Sequence, residues 1–281
     1  MKTCFATVIY KQAREFLKDF VASVDSQTDK DFDLVLINDN FSREELQTVG
    51  VYDKDFKVVN LAPSLKGTTS LIDLESFQYS IAEMRIQLLE LTKRLGYELV
   101  IIGDVDDTFA PNRVEEIKKT AELDKESVFF YNKLIKENGE DVFKSLPDAV
   151  YDINQIAQEN FLGMSTTAIR VDKLSYEFID SLREGESNVF DWYLYSRIVL
   201  DMGRGKLVSS TSTIYRIYDN NEVGTTRDLE KEKQVKTTHY WNLAKRYPMF
   251  NKLSDKIEKV DTSKIELSKE YQGYWWSDIK I

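Results

Sequence analysis

Three carboxylates follow one short apolar segment, in the sequence Asp104-Val105-Asp106-Asp107. The preceding residues 99–102 are all aliphatic and end at a glycine, which is typical of a buried strand. Ligands of open α/β sheets bind beyond the carboxyl ends of the strands, so chemistry is expected here. In an extended chain, Asp104 and Asp106 would project to one side, and Val105 and Asp107 to the other. Two carboxylates on one side suit Mg²⁺ or Mn²⁺ shared with substrate phosphates.

The same acids have a second interpretation as helix caps. Asp is favoured just before a helix, and Pro111 favours the first helical turn. One acid would be enough for capping, whereas three acids would repel one another without a cation. We therefore favour a divalent-metal site built by Asp104, Asp106 and Asp107.

The composition narrows the range of partners. The chain has 281 residues, with 48 acidic against 38 basic ones and a formal net charge of −10. This balance argues against a nucleic-acid partner, which would need a basic surface. It is compatible with a nucleotide, because a divalent cation can reconcile an acidic pocket with a diphosphate. The single cysteine, Cys4, excludes an internal disulfide framework and a Cys-built zinc site. The single histidine, His239, argues against a His-based metal cluster or a Ser–His–Asp triad, and both residues are expected to be structural.

Neither a leader peptide nor a membrane span is predicted. Residues 1–5 run directly into a strand, and no window approaches the roughly 20 apolar residues that cross a bilayer. We expect a cytoplasmic protein, with peripheral contact at the inner face of the cell membrane as a further option. That option depends on the aromatic cluster Tyr271, Tyr274, Trp275 and Trp276, which suits a membrane interface. Docking on the domain's own surface, or a dimer contact, would explain the cluster equally well.

Alternating strands and helices position the acidic motif. Hydrophobic spacing predicts strands over residues 4–10, 32–37, 56–61, 99–102, 128–131, 161–169 and 211–218. It predicts helices over residues 17–24, 74–95, 114–123, 172–182, 189–200 and 229–247, with Asn188 as a cap. We expect one α/β domain over residues 1–222, with a nucleotide-binding half (1–110) and an acceptor-binding half (111–222). Residues 223–281 would form a helical extension with an aromatic tail.

Several spaced motifs resemble the GT-A glycosyltransferases of family 2. That family opens with a strand and a Pro-x-Tyr-Asn turn, followed by a helix ending Ser-x-x-x-Gln-Thr, a strand ending Asp-Asp-Gly-Ser, and an Asp-x-Asp-Asp segment before a proline. The matching segments here are Ile9-Tyr10-Lys11-Gln12, Ser23-Val24-Asp25-Ser26-Gln27-Thr28, Asn38-Asp39-Asn40-Phe41-Ser42, and Asp104-Val105-Asp106-Asp107 with Pro111. Weaker matches are Phe190-Asp191-Trp192 and the stretch Tyr215-Arg216-Ile217-Tyr218-Asp219-Asn220-Asn221.

The resemblance implies a fold, a reaction and a set of site residues. The fold would be a mixed, Rossmann-like α/β sheet flanked by helices. The reaction would be a metal-dependent, inverting transfer of a sugar from a nucleotide-diphosphate sugar to a hydroxyl of a glycan or lipid-linked sugar acceptor. The process would be the synthesis of bacterial surface polysaccharide or glycoconjugate. Asp106 would hold the metal with Asp104 or Asp107, and Asp191 would be the catalytic base. Residues implied for the nucleotide sugar are Ile9, Tyr10, Lys11, Asp39, Arg85, Asp104 and Val105, and for the acceptor Gly163, Trp192 and Arg216.

The chain also departs from the family pattern. The opening turn lacks the family's Pro, Tyr and Asn, and Tyr218 replaces a histidine. The Gln-x-x-Arg-Trp motif of the processive synthases is absent, which favours transfer of a single sugar.

Each candidate side chain has a structural alternative. Asp39 is equally suited to a turn, and Asp191 to the N-terminus of a helix. Arg85 is compatible with a solvated helix face. At least half of the set Gly163, Trp192, Tyr193 and Tyr195 would be expected in the core.

Two other functions use the same acids. The sequence Asp104-Val105-Asp106-Asp107-Thr108 also matches the Asp-x-Asp-x-Thr signature of haloacid-dehalogenase-like phosphatases, in which Asp104 would be the nucleophile and Asp106 the acid or base. That signature normally opens its domain, whereas here a β-α-β unit precedes it. The third option is a non-catalytic protein that binds Ca²⁺ or a sugar nucleotide.

Overall fold

The computed structural model describes residues 1–63, 80–186, 189–216, 227–267 and 273–281. Four features of the sequence analysis lie outside these residues: the first turns of the predicted helix at 74–95, the predicted cap Asn188, Tyr218 at the position of the family's histidine, and Tyr271 of the aromatic cluster.

The described residues form a mixed sheet of nine strands with helices on both faces. The strands are β1 (Thr3–Tyr10), β2 (Asp33–Asp39), β3 (Val58–Leu61), β4 (Leu99–Ile102), β5 (Thr108–Phe109), β6 (Phe129–Lys136), β7 (Ala149–Val150), β8 (Thr167–Arg170) and β9 (Gly205–Tyr215). The helices are α1 (Leu17–Asp25), α2 (Arg43–Thr48), α3 (Ile81–Arg94), α4 (Arg113–Leu123), α5 (Tyr176–Ser181), α6 (Phe190–Asp201), α7 (Leu229–Ala244) and α8 (Asn251–Glu258).

The strand order brings several of the predicted site residues to one edge of the sheet, where the parallel strands end. The order is β3-β2-β1-β4-β8-β6-β9-β5, and β7 also pairs with β9. Strands β3, β2, β1 and β4 are mutually parallel, so their carboxyl ends lie together, whereas β8 is antiparallel to β4. The register pairs Tyr10 with Asp39, which places these two residues side by side.

Alternation along the strands divides the core into two layers. Val100 and Ile102 of β4 pack on the layer that contains α3 and α6 residues, whereas Leu99 and Ile101 pack on the layer that contains α1 and α4 residues. Since successive side chains of a strand point to opposite faces, a strand buried on both faces must be apolar throughout. All four residues of β4 are buried, which confirms the predicted strand.

Two predicted elements differ in the structure, and helix α8 was not predicted. The segment 161–169 is not one strand, because residues Met164–Thr166 form a 3-10 turn before β8. Residues 172–182 contain only the short helix α5 and flanking 3-10 turns. Helix α8 was missed, since its segment is polar on most of its surface; of its residues only Ile257 is buried.

The Gln27-Thr28 pair joins the end of α1 to the segment after the acidic motif. The Gln27 side chain is 1% exposed, and its amide donates to the carbonyls of Ser23 and Ala110 at 3.1 and 3.0 Å. Its oxygen accepts from the Val114 N–H at 3.0 Å. Thr28 N–H donates to the Pro111 carbonyl at 2.7 Å. These bonds fix the start of α4 directly behind the acidic residues.

We expect Gln27→Met to destabilise the fold, because it leaves buried backbone groups without a partner while keeping the side-chain size. The free energy of unfolding should fall by about 2 to 4 kcal/mol, measured from urea denaturation with an unchanged slope. Gln47→Met is the matched control, since Gln47 is exposed. Equal losses in the two variants would contradict this role.

Candidate active site

The acidic motif forms a tight turn beyond β4. The Asp107 N–H donates to the Asp104 carbonyl at 3.2 Å, so the chain reverses here. Asp104, Asp106 and Asp107 consequently all line one cavity of about 790 Å³, and the expectation that Asp107 projects to the opposite side is wrong. The Val105 side chain does turn away and is buried in the core. Val105 can therefore approach a ligand only through its backbone.

Arg85 of α3 lines the same cavity as the three acids and is paired with one of them. Its guanidinium donates to both carboxylate oxygens of Asp104, at 3.1 and 3.3 Å. Although burial lowers the pKa of Arg85, the charges of Asp104 and Asp191 raise it above its ordinary value. Arg85 therefore faces two carboxylates from two different elements, and it is not the solvated helix residue that its spacing also allowed.

Asp191 lines the same cavity from the first turn of α6. Its Oδ1 accepts from the Trp192 N–H at 2.7 Å, so it also satisfies a helix N-terminal donor. Burial raises the pKa of Asp191 to about 6, against the opposing effect of the Arg85 charge; the charge of Asp104 adds to the rise. A carboxylate with that pKa is ionised near neutrality and can still accept a proton, which suits a general base.

Asp107 is the most buried of the three acids, at 4% exposure. Burial and the charges of Asp106 and Asp104 raise its pKa well above the usual range, while the Ser165 hydroxyl and the Arg216 N–H lower it by hydrogen bonding. Ser165 also accepts from the Asp104 N–H at 3.1 Å. The 3-10 turn before β8 thus holds the acidic turn through one hydroxyl.

Beneath this turn lies the fully buried Arg113. It donates to the carbonyls of Ile102 and Ser165 at 2.9 and 2.8 Å and to the Asn132 amide oxygen at 2.9 Å. Burial lowers the pKa of Arg113 to about 9, and the nearby charge of Asp107 opposes that shift. Sequence reasoning missed this residue, although an arginine in the first turn of a helix opposes the helix dipole and is a usable signal.

The structure separates the other predicted nucleotide contacts. Tyr10 lines the cavity with Arg85 and Asp104. Ile9 is fully buried, and Lys11 is exposed in a 3-10 turn after β1. Asp39 lies at the adjacent strand end, outside the set that lines the cavity, and its carboxylate accepts from Asn40 at 2.6 Å.

Of the predicted acceptor residues, only Gly163 lines the cavity. The Trp192 side chain is fully buried, with its ring stacked on His239 at 3.9 Å and its N–H donating to the Ile156 carbonyl. Arg216 turns its guanidinium to Asp19 at 2.9 Å and presents its backbone to Asp107. The rings of Trp192, Tyr193 and Tyr195 are therefore buried in the core, which was the alternative interpretation.

A wall of the cavity comes from parts of the chain that sequence reasoning left out of the site. Helix α7 contributes four residues that are spaced to share one face of the helix, and the C-terminal residues 273–281 contribute two indole rings. These residues are Lys231, Gln234, Val235, Thr238, Trp275 and Trp276. Tyr274 is buried, and its hydroxyl donates to the Ser145 carbonyl at 2.7 Å, so this aromatic cluster docks on the domain's own surface.

A divalent cation fits the donor set only in part. No group of three His, Cys, Asp or Glu side chains is arranged to hold a metal within the described ranges. The three acids nevertheless face one cavity, and the charges of Asp106 and Asp104 help to raise the pKa of Asp107. This arrangement fits an ion held by one or two carboxylates and completed by substrate phosphates. Asp106, with Asp104 or Asp107, would hold it.

No helix of the described residues is long and apolar enough to cross a membrane.

The chain matches no family model, and no curated protein matches its sequence. One similar solved structure is S. aureus TarS 1-349 in complex with UDP-GlcNAc, with a TM-score of 0.60 and 14% sequence identity over 92% of this chain and 72% of that chain. A second is mannosyltransferase PcManGT from Pyrobaculum calidifontis in complex with GDP-Man and Mn²⁺, with a TM-score of 0.56 and 11% identity over 92% of this chain and 68% of that chain. A third is GalNAc-T7 with UDP, GalNAc and Mn²⁺, with a TM-score of 0.54 and 11% identity over 93% of this chain and 52% of that chain. The chain therefore has the GT-A fold that its motifs resembled.

The raised pKa of Asp191 makes a prediction about stability. Because the pKa rises from 3.8 to about 6 on folding, the ionised side chain destabilises the fold progressively as pH increases through that interval. Asp191→Asn keeps the shape and the Trp192 contact and removes this cost. We expect it to stabilise the protein by about 2 kcal/mol at about pH 7.5 and by much less at about pH 4.5, measured by urea denaturation.

Asp255→Asn, at an exposed position of α8, controls for the change of charge. A stabilisation by Asp191→Asn that is the same at both pH values would contradict the raised pKa.

Proposed function

We propose that this protein transfers a single sugar from a nucleoside-diphosphate sugar to a hydroxyl acceptor, with inversion at the anomeric carbon. The observation that carries the proposal is the shared cavity of Asp191, Arg85 and the acidic turn, at the carboxyl edge of the parallel strands. This edge is where open α/β sheets bind nucleotides. TarS and PcManGT, which have the same fold, are described in complex with UDP-GlcNAc and GDP-Man, and this likeness supports the class of donor.

The residues of the cavity suit the two demands of this reaction. The acceptor hydroxyl must lose its proton as it attacks, and in this proposal Asp191, a carboxylate that lines the cavity, takes it. The departing diphosphate gains negative charge, which Arg85 can offset. A divalent cation, Mn²⁺ or Mg²⁺, would supply Lewis-acid stabilisation of that charge when bound by Asp106 with Asp104 or Asp107. In this proposal a single carboxylate acts as base without a covalent intermediate, so the anomeric carbon is inverted.

The finer parts of the proposal rest on the sequence resemblance. They are the assignment to family 2, the use of Tyr10 and Asp39 beside the nucleotide, and a place in the synthesis of bacterial surface polysaccharide at the inner face of the cell membrane. The absence of a Gln-x-x-Arg-Trp motif supports single transfer over polymerisation.

The phosphatase alternative has less support. Its nucleophile would be Asp104, but both carboxylate oxygens of Asp104 accept from Arg85. In this fold the motif also follows the fourth strand of the chain, β4, rather than the first.

The first test of the proposal is donor binding. Calorimetric titration with UDP-, GDP- and dTDP-sugars should give binding that is strengthened by Mn²⁺ for at least one donor. Asp106→Asn should remove that strengthening, with a loss of affinity of about tenfold or more in Mn²⁺. Asp55→Asn, at an exposed position, is the control. If no sugar nucleotide binds with any metal, the proposal fails.

The second test is the pH dependence of transfer. Asp191 must be ionised to accept a proton, so kcat/KM should rise as pH increases through about 6 and then level off. Asp191→Asn should bind donor normally but lower kcat by about a hundredfold to ten-thousandfold. A variant that keeps the wild-type rate and pH profile would rule out this base. Mass and anomer analysis of the product tests inversion.

A further inference from the structure

The wall built by α7 and residues 273–281 is not explained by donor chemistry. We call residues 273–281 the C-terminal segment. Two of its residues, Trp275 and Trp276, line the cavity and are partly exposed. The same cavity is also lined by Tyr10, Arg85 and the acidic turn, which are the groups suited to a nucleotide diphosphate.

Trp275 is fixed in place by its neighbours. Its backbone pairs with Asn160 through two hydrogen bonds of 2.8 Å. Its ring packs edge-on against Phe143 at 5.0 Å. A Cβ at Gly163 would lie 3.2 Å from the indole, so the glycine provides the room that this ring needs. Gly163 therefore contributes to the cavity by admitting the indole.

Trp276 adopts a conformation that side chains seldom take. Its φ is +57°, in the left-handed region, which is unfavourable for a bulky residue. Such backbone strain persists only where the surrounding structure imposes it, and it is concentrated at binding sites. Here the strained residue is one that lines the cavity.

A buried ion pair on α7 holds the C-terminal segment. Glu232 and Lys236 lie 3.0 Å apart, with side chains that are 5% and 0% exposed. The Glu232 carboxylate accepts from the N–H groups of Asp278 and Ile279 at 3.1 and 2.7 Å. Lys236 donates to the Ile279 carbonyl. A buried ion pair is weak evidence for stability, but the three hydrogen bonds of this pair hold the backbone of Asp278 and Ile279 against α7.

Another face of α7 lines the cavity. Lys231, Gln234, Val235 and Thr238 recur at steps of three and four residues, so they share one face of the helix. An indole plane beside hydroxyl, amide and ammonium groups suits a ligand with an apolar face and hydroxyl edges. Sugar rings have this character, because their C–H face packs on aromatic rings and their hydroxyl groups hydrogen-bond at the edge.

We propose that Trp276, supported by Trp275, binds a sugar ring of the acceptor, and that Glu232 and Lys236 are the positioning residues of this subsite. This inference rests on the proposed function and deepens it, since it makes the acceptor a carbohydrate. The segment enters the site beside Asn160, which precedes β8, and β8 is the next strand beyond the donor strand β4. The acceptor ring would thus lie on the β8 side of the donor.

Direct binding can be followed by tryptophan fluorescence. The probes are methyl and p-nitrophenyl glycosides of glucose, galactose, mannose, N-acetylglucosamine and N-acetylgalactosamine, added in the presence of donor nucleotide and Mn²⁺. We expect at least one of these glycosides to change the tryptophan emission of the protein. Trp276→Phe should weaken the response and keep part of the affinity, because the ring face remains. Trp241→Ala is the matched control, since Trp241 is 48% exposed on α7 and does not line the cavity. A wild-type protein that responds to none of the glycosides overturns the proposal.

Kinetics separates this subsite from the donor site. Trp276→Ala should raise the acceptor KM by about tenfold or more, a change of the size expected for one stacked ring, and leave the affinity for donor nucleotide within about twofold. An unchanged acceptor KM, or an equal loss of donor affinity, would overturn the assignment. Loss of binding to phosphatidylglycerol vesicles with unchanged acceptor KM would instead assign Trp276 to a membrane surface and also overturn it. Failure of the wild-type chain to bind any sugar nucleotide would be a failure of the proposed function, which is a different result.

The positioning residues have their own readout. Glu232→Gln should increase hydrogen exchange of residues 273–281 and raise the acceptor KM in the same direction as Trp276→Ala, with donor affinity retained. Glu230→Gln, at an exposed position of the same helix, is the control. If Glu232→Gln frees the segment without changing the acceptor KM, the segment is not part of the subsite. The Trp276 variants test the proposal independently if the Glu232 variant does not fold.

Discussion

The acidic edge of this sheet depends on one buried cation. Arg113 has no exposed surface, and its guanidinium binds carbonyls at the end of β4 and in the turn before β8, together with an amide in β6. Burying an unpaired charge is costly, so the guanidinium needs these oxygens and the nearby charge of Asp107. Asp107 itself keeps a raised pKa, because burial and the charges of Asp106 and Asp104 disfavour its ionised form.

Charge compensation then spreads from this centre to the open cavity. Ser165 links Asp107 to the Asp104 backbone, Asp104 pairs with Arg85, and Arg85 faces Asp191. Each carboxylate therefore has a different environment. The pKa of Asp191 is raised to about 6 by burial, whereas Asp104 is held by a cation. Separate environments for neighbouring carboxylates are what allow them to take separate chemical roles.

The motifs that sequence reasoning located were those carried by regular elements. Asp104 follows a strand whose four residues are all apolar and are buried on both faces of the sheet. Asp191 lies in the first turn of a helix that the hydrophobic spacing of the sequence predicts. The Gln27 motif is explained by its three buried hydrogen bonds to the backbone around α4. In each case the local pattern and the tertiary contact require the same residue, so the pattern was informative.

Other features of the site could not be predicted from local pattern. Trp192 and Trp276 are the same residue type, yet one is enclosed by His239 and the other lines the cavity. Which indole lines the cavity depends on how α7 packs against α6 and on the hydrogen bonds from Glu232 and Lys236 to the backbone of Asp278 and Ile279. Those contacts join residues far apart in the chain, and hydrophobic periodicity carries no information about them.

The sequence by itself determined the GT-A fold class, the buried strand before Asp104 and the identity of the acids that could do chemistry, because strand burial and motif spacing are local properties. Only the tertiary structure decided which side chains meet. The turn at Asp104 and Asp107 brings all three acids to one cavity, and the docking of the C-terminal segment adds Trp276 to it. Both arrangements follow from compensation of buried charge and backbone polarity, which depends on every neighbour in space.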